Sequence, residues 1–228
     1  MRALSYKSGL MAGIPIFLGY FPVAMAFGLL AKTNGITLGE AIGFSALVFA
    51  GASQFMALNL IQSGAVFMEI VIATLLLNFR HFLMSASVAS RMETKKKWTL
   101  PLVAFGITDE TFAVAATAEG KLNPRYLIPL EATAYIGWVS GTACGHIMGA
   151  ALPEILQKSM GIGLYAMFVA ILLPSVRKTV WAGVLAGVAA LVHTGLAKME
   201  VLPSGWNIIA AIVLVAGAGA WFITEQEE

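Results

Sequence analysis

The third apolar run of the chain contains the stretch Ile70-Val-Ile-Ala-Thr-Leu-Leu-Leu-Asn-Phe-Arg-His-Phe-Leu83, in which an arginine interrupts a hydrophobic segment. The whole run covers about residues 64–90, which is more than the ~20 apolar residues that a helix needs to cross a bilayer. Comparable runs recur at about residues 9–31, 41–62, 98–118, 126–150, 161–174, 180–197 and 206–223. The pattern predicts an all-α polytopic membrane protein with seven or eight transmembrane helices, built as a single domain over residues 1–228.

The composition excludes several other classes of protein. Of the 228 residues, 59% are hydrophobic and 11% are charged, whereas soluble domains carry about 25% charged residues. Fourteen basic against twelve acidic side chains give a net charge of only +2, which argues against a nucleic-acid partner. The single cysteine, Cys144, excludes an internal disulfide, and no clustered ligands indicate a metal or a cofactor.

Two of the apolar runs predict irregular structure. Pro15, Gly19 and Pro22 lie within eight residues of the first run, and interior prolines remove helical hydrogen bonds, so we expect a broken or strongly kinked first helix. A simple packing kink is the alternative. The freed backbone amides of such a helix can bind a carboxylate near the membrane midplane. The run at 161–174 is short for a crossing, so it is tilted, extended by its flanks or re-entrant.

Lysine and arginine do not fix the membrane orientation. Eight crossings with a cytoplasmic amino terminus distribute them almost equally between the two sides. Seven crossings with the amino terminus outside place more of them in the cytoplasm, which favours that arrangement slightly.

Arg80 lies about ten residues from the polar end of its run, or about 15 Å along a helix, close to the middle of the membrane. A charged side chain there costs at least ~2.5 kcal/mol on insertion scales unless a partner, a water cavity or a role offsets it. Asn78 and His81 lie beside it on the same helix. The structural alternative is a buried ion pair that holds two helices together.

Asp109 and Glu110 lie at the centre of the fourth run. A carboxylate opposite Arg80 would stay ionised, whereas its neighbour could carry a proton. Gln54 lies within the second run, where simple hydrogen bonding between helices is the alternative to a binding role. Because Pro15–Pro22, Gln54, Arg80 and Asp109 all fall near the middle of their runs, we expect them to converge on one site at the midplane.

Two further features predict packing. Gly137, Gly141, Gly145 and Gly149 recur every four residues and indicate a face for close helix contact, within this chain or with a second protein. Glu131 lies only a few residues inside the fifth run, so we expect its carboxylate to reach the lipid headgroups.

The sequence resembles the AzlC family in four segments, which together are specific although each alone is weak. They are Gly19-Tyr-Phe-Pro-Val-Ala-Met-Ala-Phe-Gly28, Phe49-Ala-Gly-Ala-Ser-Gln-Phe55, Asn78-Phe-Arg-His-Phe-Leu83 and Phe105-Gly-Ile-Thr-Asp-Glu-Thr-Phe112. The resemblance implies the large subunit of a two-component exporter in the bacterial cell membrane. It implies export of leucine, isoleucine, valine and methionine, together with a small AzlD-type membrane subunit.

A zwitterionic amino acid requires an anion site, a cation site and a dry pocket. Arg80, or the amides near Gly19 and Pro22, would hold the carboxylate, and Asp109 or Glu110 the ammonium group. Gln54 and Asn78 would hydrogen-bond either end, and three aromatic residues, Phe21, Phe55 and Phe79, are available for the side-chain pocket. Since the chain has no nucleotide-binding loop, we expect proton antiport with Glu110, Asp109 or His81 as the exchanging group.

Three rival hypotheses remain open on the sequence alone. A channel or passive facilitator would show flux without saturation or trans-stimulation. An intramembrane enzyme would recruit Ser53, His81 and Asp109 as a catalytic set, although no nucleophile motif supports it. A docking subunit would leave transport to its partner.

Overall fold

The computed structural model describes residues 4–94, 96–118, 120–148, 151, 153, 155, 169, 172–173, 176–177, 179–199 and 204–224. Over these ranges the chain is helical and contains no strand. The helices are α1 (Tyr6–Thr33), α2 (Leu38–Leu47), α3 (Gly51–Gln62), α4 (Phe67–Arg91), α5 (Thr99–Gly106), α6 (Asp109–Thr117), α7 (Pro124–Met148), α8 (Val180–Met199) and α9 (Ser204–Thr224). The run at 161–174 lies outside the described residues, apart from residues 169, 172 and 173.

The helices are those of an all-α, multi-pass membrane protein. Within the described ranges, α1, α4 and α8 are long and apolar enough to cross a membrane, and α5 with α6 would make a fourth span if the bent pair counted as one. The seven or eight crossings that the sequence predicts are therefore not confirmed over the described residues.

The chain divides into two compact units. The first comprises Met1–Phe55 and Asn78–Leu164, and it contains every residue predicted for the functional site. The second comprises Met56–Leu77 and Tyr165–Glu228, where Leu60, Ala73 and Ile209 form a buried cluster.

The prediction of a broken first helix is wrong, because α1 is one continuous helix of 28 residues with Pro15 and Pro22 inside it. Both prolines lie on the exposed face of α1, together with Gly19. A proline there removes one backbone hydrogen bond but disturbs no packed surface, so the helix continues through it.

The opposite face of α1 packs against α7 through glycines on both helices. Gly9 of α1 abuts the carbonyl group of Tyr126, and Gly28 abuts that of Thr142, so the two helices run parallel. From α7, Gly137 and Gly145 face Phe17 and Met25 of α1. The predicted close-packing face is therefore an internal contact at these positions, whereas Gly149 lies outside the described residues.

The second and fourth apolar runs, expected to be single spans, are each divided into two helices. Residues 48–50 separate α2 from α3, and residues 107–108 separate α5 from α6, whose axes are bent by 115°. At the second break Thr108 caps α6, and its side chain accepts a hydrogen bond from the Thr111 amide. A new helix therefore starts in the middle of the run, directly before the two acidic residues.

The two ends of the α5–α6 pair lie at the same end of the first unit. Arg91, at the end of α4, donates hydrogen bonds to carbonyl oxygens in the last turn of α6 and just after it, those of Ala115, Ala116, Ala118 and Gly120. The backbone amide of Glu93, a few residues before α5, donates to Leu122. The pair therefore enters and returns as a re-entrant hairpin.

The α2–α3 pair begins at the opposite end of α7. Its first residues follow Ile36, whose carbonyl contacts His146 near the end of α7. Beyond the break, the side-chain amide of Gln54, at the start of α3, donates to Ser45 of α2. The two breaks lie close together in the first unit, because the rings of Phe49 and Phe105 are 6.4 Å apart.

Candidate functional site

Arg80 of α4 forms an ion pair with Asp109, the first residue of α6. The distance from Arg80 Nη2 to Asp109 Oδ2 is 3.0 Å, and the two side chains are 33% and 23% exposed. Arg80 lies about three helical turns, or roughly 16 Å, before the end of α4. The pair is therefore deep within the unit but accessible.

The Arg80 guanidinium is not fully satisfied by Asp109. Its Nε atom is buried and has no hydrogen-bond partner among the described residues. A guanidinium group can bind a planar anion through two parallel N–H bonds. Arg80 thus retains a donor that can bind a second carboxylate.

Glu110 is held by Tyr20 of α1. The Tyr20 hydroxyl lies within hydrogen-bonding distance of Glu110 Oε2 and 2.7 Å from the Thr108 hydroxyl oxygen. Both acidic residues occupy the first turn of α6, where the positive end of the helix dipole stabilises negative charge. A helix N-terminus, two carboxylates and a guanidinium therefore lie together at the second break.

Aromatic rings surround this polar group. The Tyr20 ring contacts Trp138 at 5.4 Å and Phe49 at 6.2 Å, both edge to face. Tyr135 packs on both Phe49 and Phe105. Rings at both breaks thus form apolar walls next to the charges.

Gln54 is completely buried and belongs to a hydrogen-bond network between α2, α3 and α7. Its Oε1 accepts from the Trp138 indole at 2.7 Å, and its Nε2 donates to Ser45 at 3.0 Å. Ser45 in turn lies 2.8 Å from the Thr142 hydroxyl. The structure therefore links Gln54 to the charged site through the Trp138 and Tyr20 rings.

The other predicted polar residues of α4 flank Arg80. Asn78 Oδ1 accepts a hydrogen bond of 2.6 Å from Ser53 of α3, and His81 is half-buried beside Arg80. Within the described ranges, no group of three or more His, Cys, Asp or Glu side chains could hold a metal ion.

Several predicted residues lie elsewhere. Gly19 and Pro22 are on the exposed face of α1, and no atom lies within 4 Å of the position where a Cβ of Gly19 would be. Because α1 is unbroken there, it offers no freed amides for a carboxylate. Of the proposed pocket rings, Phe55 packs on Phe27, Phe21 stacks on Phe17, and Phe79 is 57% exposed.

The expectation that Glu131 reaches the headgroups is wrong. Its side chain is 4% exposed and packs against Gly106, at the end of α5. The sequence shows how many residues separate Glu131 from the start of its apolar run. It does not show that the α5–α6 hairpin covers the Glu131 side chain.

Sequence reasoning also missed Tyr20, Thr108 and Trp138. Two signals were present in the sequence. Thr108 precedes two acidic residues and is followed by Thr111, which is typical of a helix N-terminus. Tyr20 and Trp138 carry polar atoms within apolar runs, where such atoms need a partner.

The first unit contains most of the residues that are shared with known proteins. The family described as AzlC protein matches residues 15–152. No solved structure matches the chain.

Three relatives illustrate the similarity. An uncharacterized membrane protein of Archaeoglobus fulgidus is 34% identical, with 83% of this chain and 85% of that protein aligned. Inner membrane protein YgaZ of Escherichia coli is 33% identical over 76% of this chain and 74% of its own length. The branched-chain amino acid transport protein AzlC of Bacillus subtilis is 26% identical over 93% and 83%. The chain therefore belongs to the AzlC family.

Proposed function

We propose that this protein is a secondary transporter that exports branched-chain amino acids, namely leucine, isoleucine and valine, and also methionine. The Bacillus relative is named for branched-chain amino acid transport. The observation that carries the proposal is the Arg80–Asp109 pair, which is deep and accessible and leaves a buried Arg80 Nε without a partner among the described residues.

A zwitterionic substrate fits this combination of charges. Its carboxylate binds Arg80 Nε and Nη2, and its ammonium group binds Asp109 or Glu110. Because Asp109 already pairs with Arg80, an inserted amino acid exchanges one ion pair for two and leaves no charge uncompensated. The rings of Phe49, Phe105 and Tyr135 provide apolar surface for a branched side chain.

Export against a gradient requires an energy source, which we propose is proton antiport. The exchanging group was expected to be Glu110, Asp109 or His81, and they surround the proposed substrate site. A small AzlD-type subunit completes the transporter in this proposal. Discontinuous membrane helices whose ends bind the substrate recur in secondary transporters. The fourth run is interrupted in this way, with Asp109 and Glu110 in the first turn of α6.

The rival functions predict different behaviour. A channel would show flux that neither saturates nor responds to substrate on the other side. An enzyme with a Ser53 nucleophile would need a base beside it, but the Ser53 hydroxyl donates to Asn78. The carrier is therefore the better explanation of this site.

The test is counterflow of radiolabelled leucine in proteoliposomes, with the chain reconstituted alone and with its small subunit. We expect saturable, trans-stimulated exchange, and its loss in Arg80→Ala and Asp109→Asn. Each variant removes the partner of one charge of the substrate, so binding should weaken at least about tenfold, or ~1.4 kcal/mol.

Lys121→Gln is the matched control, because it removes an exposed ion pair of the same unit, with Glu93, that the proposed substrate site does not use. It should leave counterflow unchanged. Full exchange by both site variants would refute the proposed site, and unsaturable flux by the parent protein would favour a channel.

A further inference from the structure

Glu131 of α7 is a buried carboxyl group that the proposed substrate site does not use. Its side chain is 4% exposed, and its Oε1 atom has no hydrogen-bond partner among the residues that the structure describes. Burial of an ionised carboxylate without a cation or donors is very costly, whereas the neutral acid avoids most of that cost. The geometry therefore requires a proton on Glu131 in this conformation.

The surroundings of Glu131 are apolar. A cavity of about 180 Å³ lies beside its carboxyl group, between α5 and α7. The other lining residues are Leu102, Phe105, Gly106, Ile128, Ala132 and Tyr135. Of these, only Tyr135 carries a polar side chain, and its hydroxyl donates to the Ala46 carbonyl.

The acidic groups of the helices packed around α7 are engaged elsewhere. From α6, Asp109 pairs with Arg80, and Glu110 accepts from Tyr20 of α1. From α2, Glu40 caps its own helix at Thr37. No residue of α5 is titratable, and the remaining titratable residues of α1 and α7 within the described ranges are Tyr6, Lys7, Lys32, Arg125, Tyr126, Cys144 and His146.

Glu131 is also in direct contact with the hairpin that carries the substrate site. A Cβ atom on Gly106 would lie 2.6 Å from Glu131 Oε2, so the end of α5 is packed tightly against the carboxyl group. Gly106 precedes Asp109 by three residues, across the break. An ionised Glu131 needs water or a cation beside it, and movement of the hairpin away from α7 would make room for them. The charge on Glu131 and the position of Asp109 are thereby coupled.

We propose that Glu131 binds the proton that is exchanged for the amino acid. On one side of the membrane its acid O–H bond breaks, the proton passes to water in the cavity, and the carboxylate remains. On the other side a proton from water restores the acid and allows the hairpin to close on α7. This step rests on the proposed transport function, and it assigns the exchanged proton to Glu131 in place of Glu110, Asp109 or His81.

The experiment compares two activities of the reconstituted transporter. Counterflow of labelled leucine exchanges one substrate for another and needs no net proton movement. Accumulation of leucine driven by a pH gradient does need net proton movement. Glu131→Gln mimics the neutral acid, so it should retain counterflow and lose gradient-driven accumulation together with the pH dependence of transport.

The matched control is Glu69→Gln. Glu69 is equally buried, at 4% exposed, but its carboxylate accepts from the Val66 amide at a helix start. This variant should retain gradient-driven accumulation. Gradient-driven accumulation by Glu131→Gln at the parental level would overturn the inference and leave the transport function standing. Loss of both activities in a folded Glu131→Gln protein would also overturn it, by making Glu131 part of the substrate site.

A parent protein without counterflow would instead contradict the transport function itself. If Glu131→Gln does not fold, Glu131→Asp replaces it, because a shorter carboxyl should keep coupling but shift its pH dependence. Infrared spectroscopy gives an independent measurement on the parent. The C=O band of a neutral carboxylic acid should be present in the parent and shifted in Glu131→Asp, and the absence of such a band would refute the proposal.

Discussion

Tyr20 is the residue that connects the acidic end of α6 to the aromatic core. Its hydroxyl reaches Thr108 and Glu110, while its ring packs on Trp138 and Phe49. One side chain thus fixes the start of α6, and with it the direction in which both carboxylates point.

We therefore expect Tyr20→Phe to lower both stability and transport. The variant keeps the ring but removes the hydroxyl that bonds to Thr108 and Glu110, at a cost of about 1–3 kcal/mol. Unfolding in mixed detergent micelles measures the change in stability, and leucine counterflow measures the change in transport. A variant with unchanged stability and unchanged apparent leucine affinity would show that this hydroxyl does not position the site.

At the level of the helices, the sequence predicted a helix break in the wrong place. The prolines of α1 suggested a broken helix, yet both lie on its exposed face and the helix continues. The breaks occur at residues 48–50 and 107–108, where no proline is present. At the second break, Thr108 caps α6 and bonds to the distant Tyr20 hydroxyl, and a single sequence does not reveal that second contact.

Other expectations were met because they depend on local chemistry. The spacing of Gly137, Gly141 and Gly145 predicted close helix contact, and α1 provides the partner face. Arg80 needed a compensating group at membrane depth, and Asp109 lies beside it. The roles of Gln54, Asn78, Glu110 and His81 in transport remain predictions.

The parallel packing of α1 and α7 can be tested with two glycines of one helix. A methyl group in Gly28→Ala would overlap the backbone oxygen of Thr142, which forces the helices apart. We expect a loss of about 1–3 kcal/mol in the free energy of unfolding. Gly19→Ala, which has no atom nearby, should be neutral or stabilising by up to ~1 kcal/mol. Equal effects of the two substitutions would contradict this packing.

For the first unit as a whole, the re-entrant hairpin alters the expected topology. Because the fourth run returns to its starting end, basic side chains accumulate there. The side chains at that end are Lys7, Arg91, Lys96, Lys97, Lys121 and Arg125, whereas Lys32 lies at the opposite end. The excess of positive charge now favours a cytoplasmic amino terminus, in contrast to the orientation that the sequence slightly favoured.

Cysteine labelling tests this arrangement in a Cys144→Ser background. Lys96→Cys and Lys121→Cys should react with a membrane-impermeant reagent from the same, cytoplasmic side, and Asn34→Cys from the other. A fourth run that crossed the membrane would place Lys96 and Lys121 on opposite sides. Labelling of these two positions from opposite sides would therefore contradict the re-entrant hairpin.

The most direct test of the central claim is equilibrium binding of leucine and two partial analogues to the purified transporter. Isocaproate has the leucine skeleton without the ammonium group, and isopentylamine has it without the carboxylate. If Arg80 binds the carboxylate, Arg80→Ala should weaken isocaproate binding at least about tenfold, or ~1.4 kcal/mol, and spare isopentylamine. Asp109→Asn should weaken the binding of isopentylamine and leave the binding of isocaproate unchanged. Parental affinity of both variants for leucine and both analogues would contradict the account.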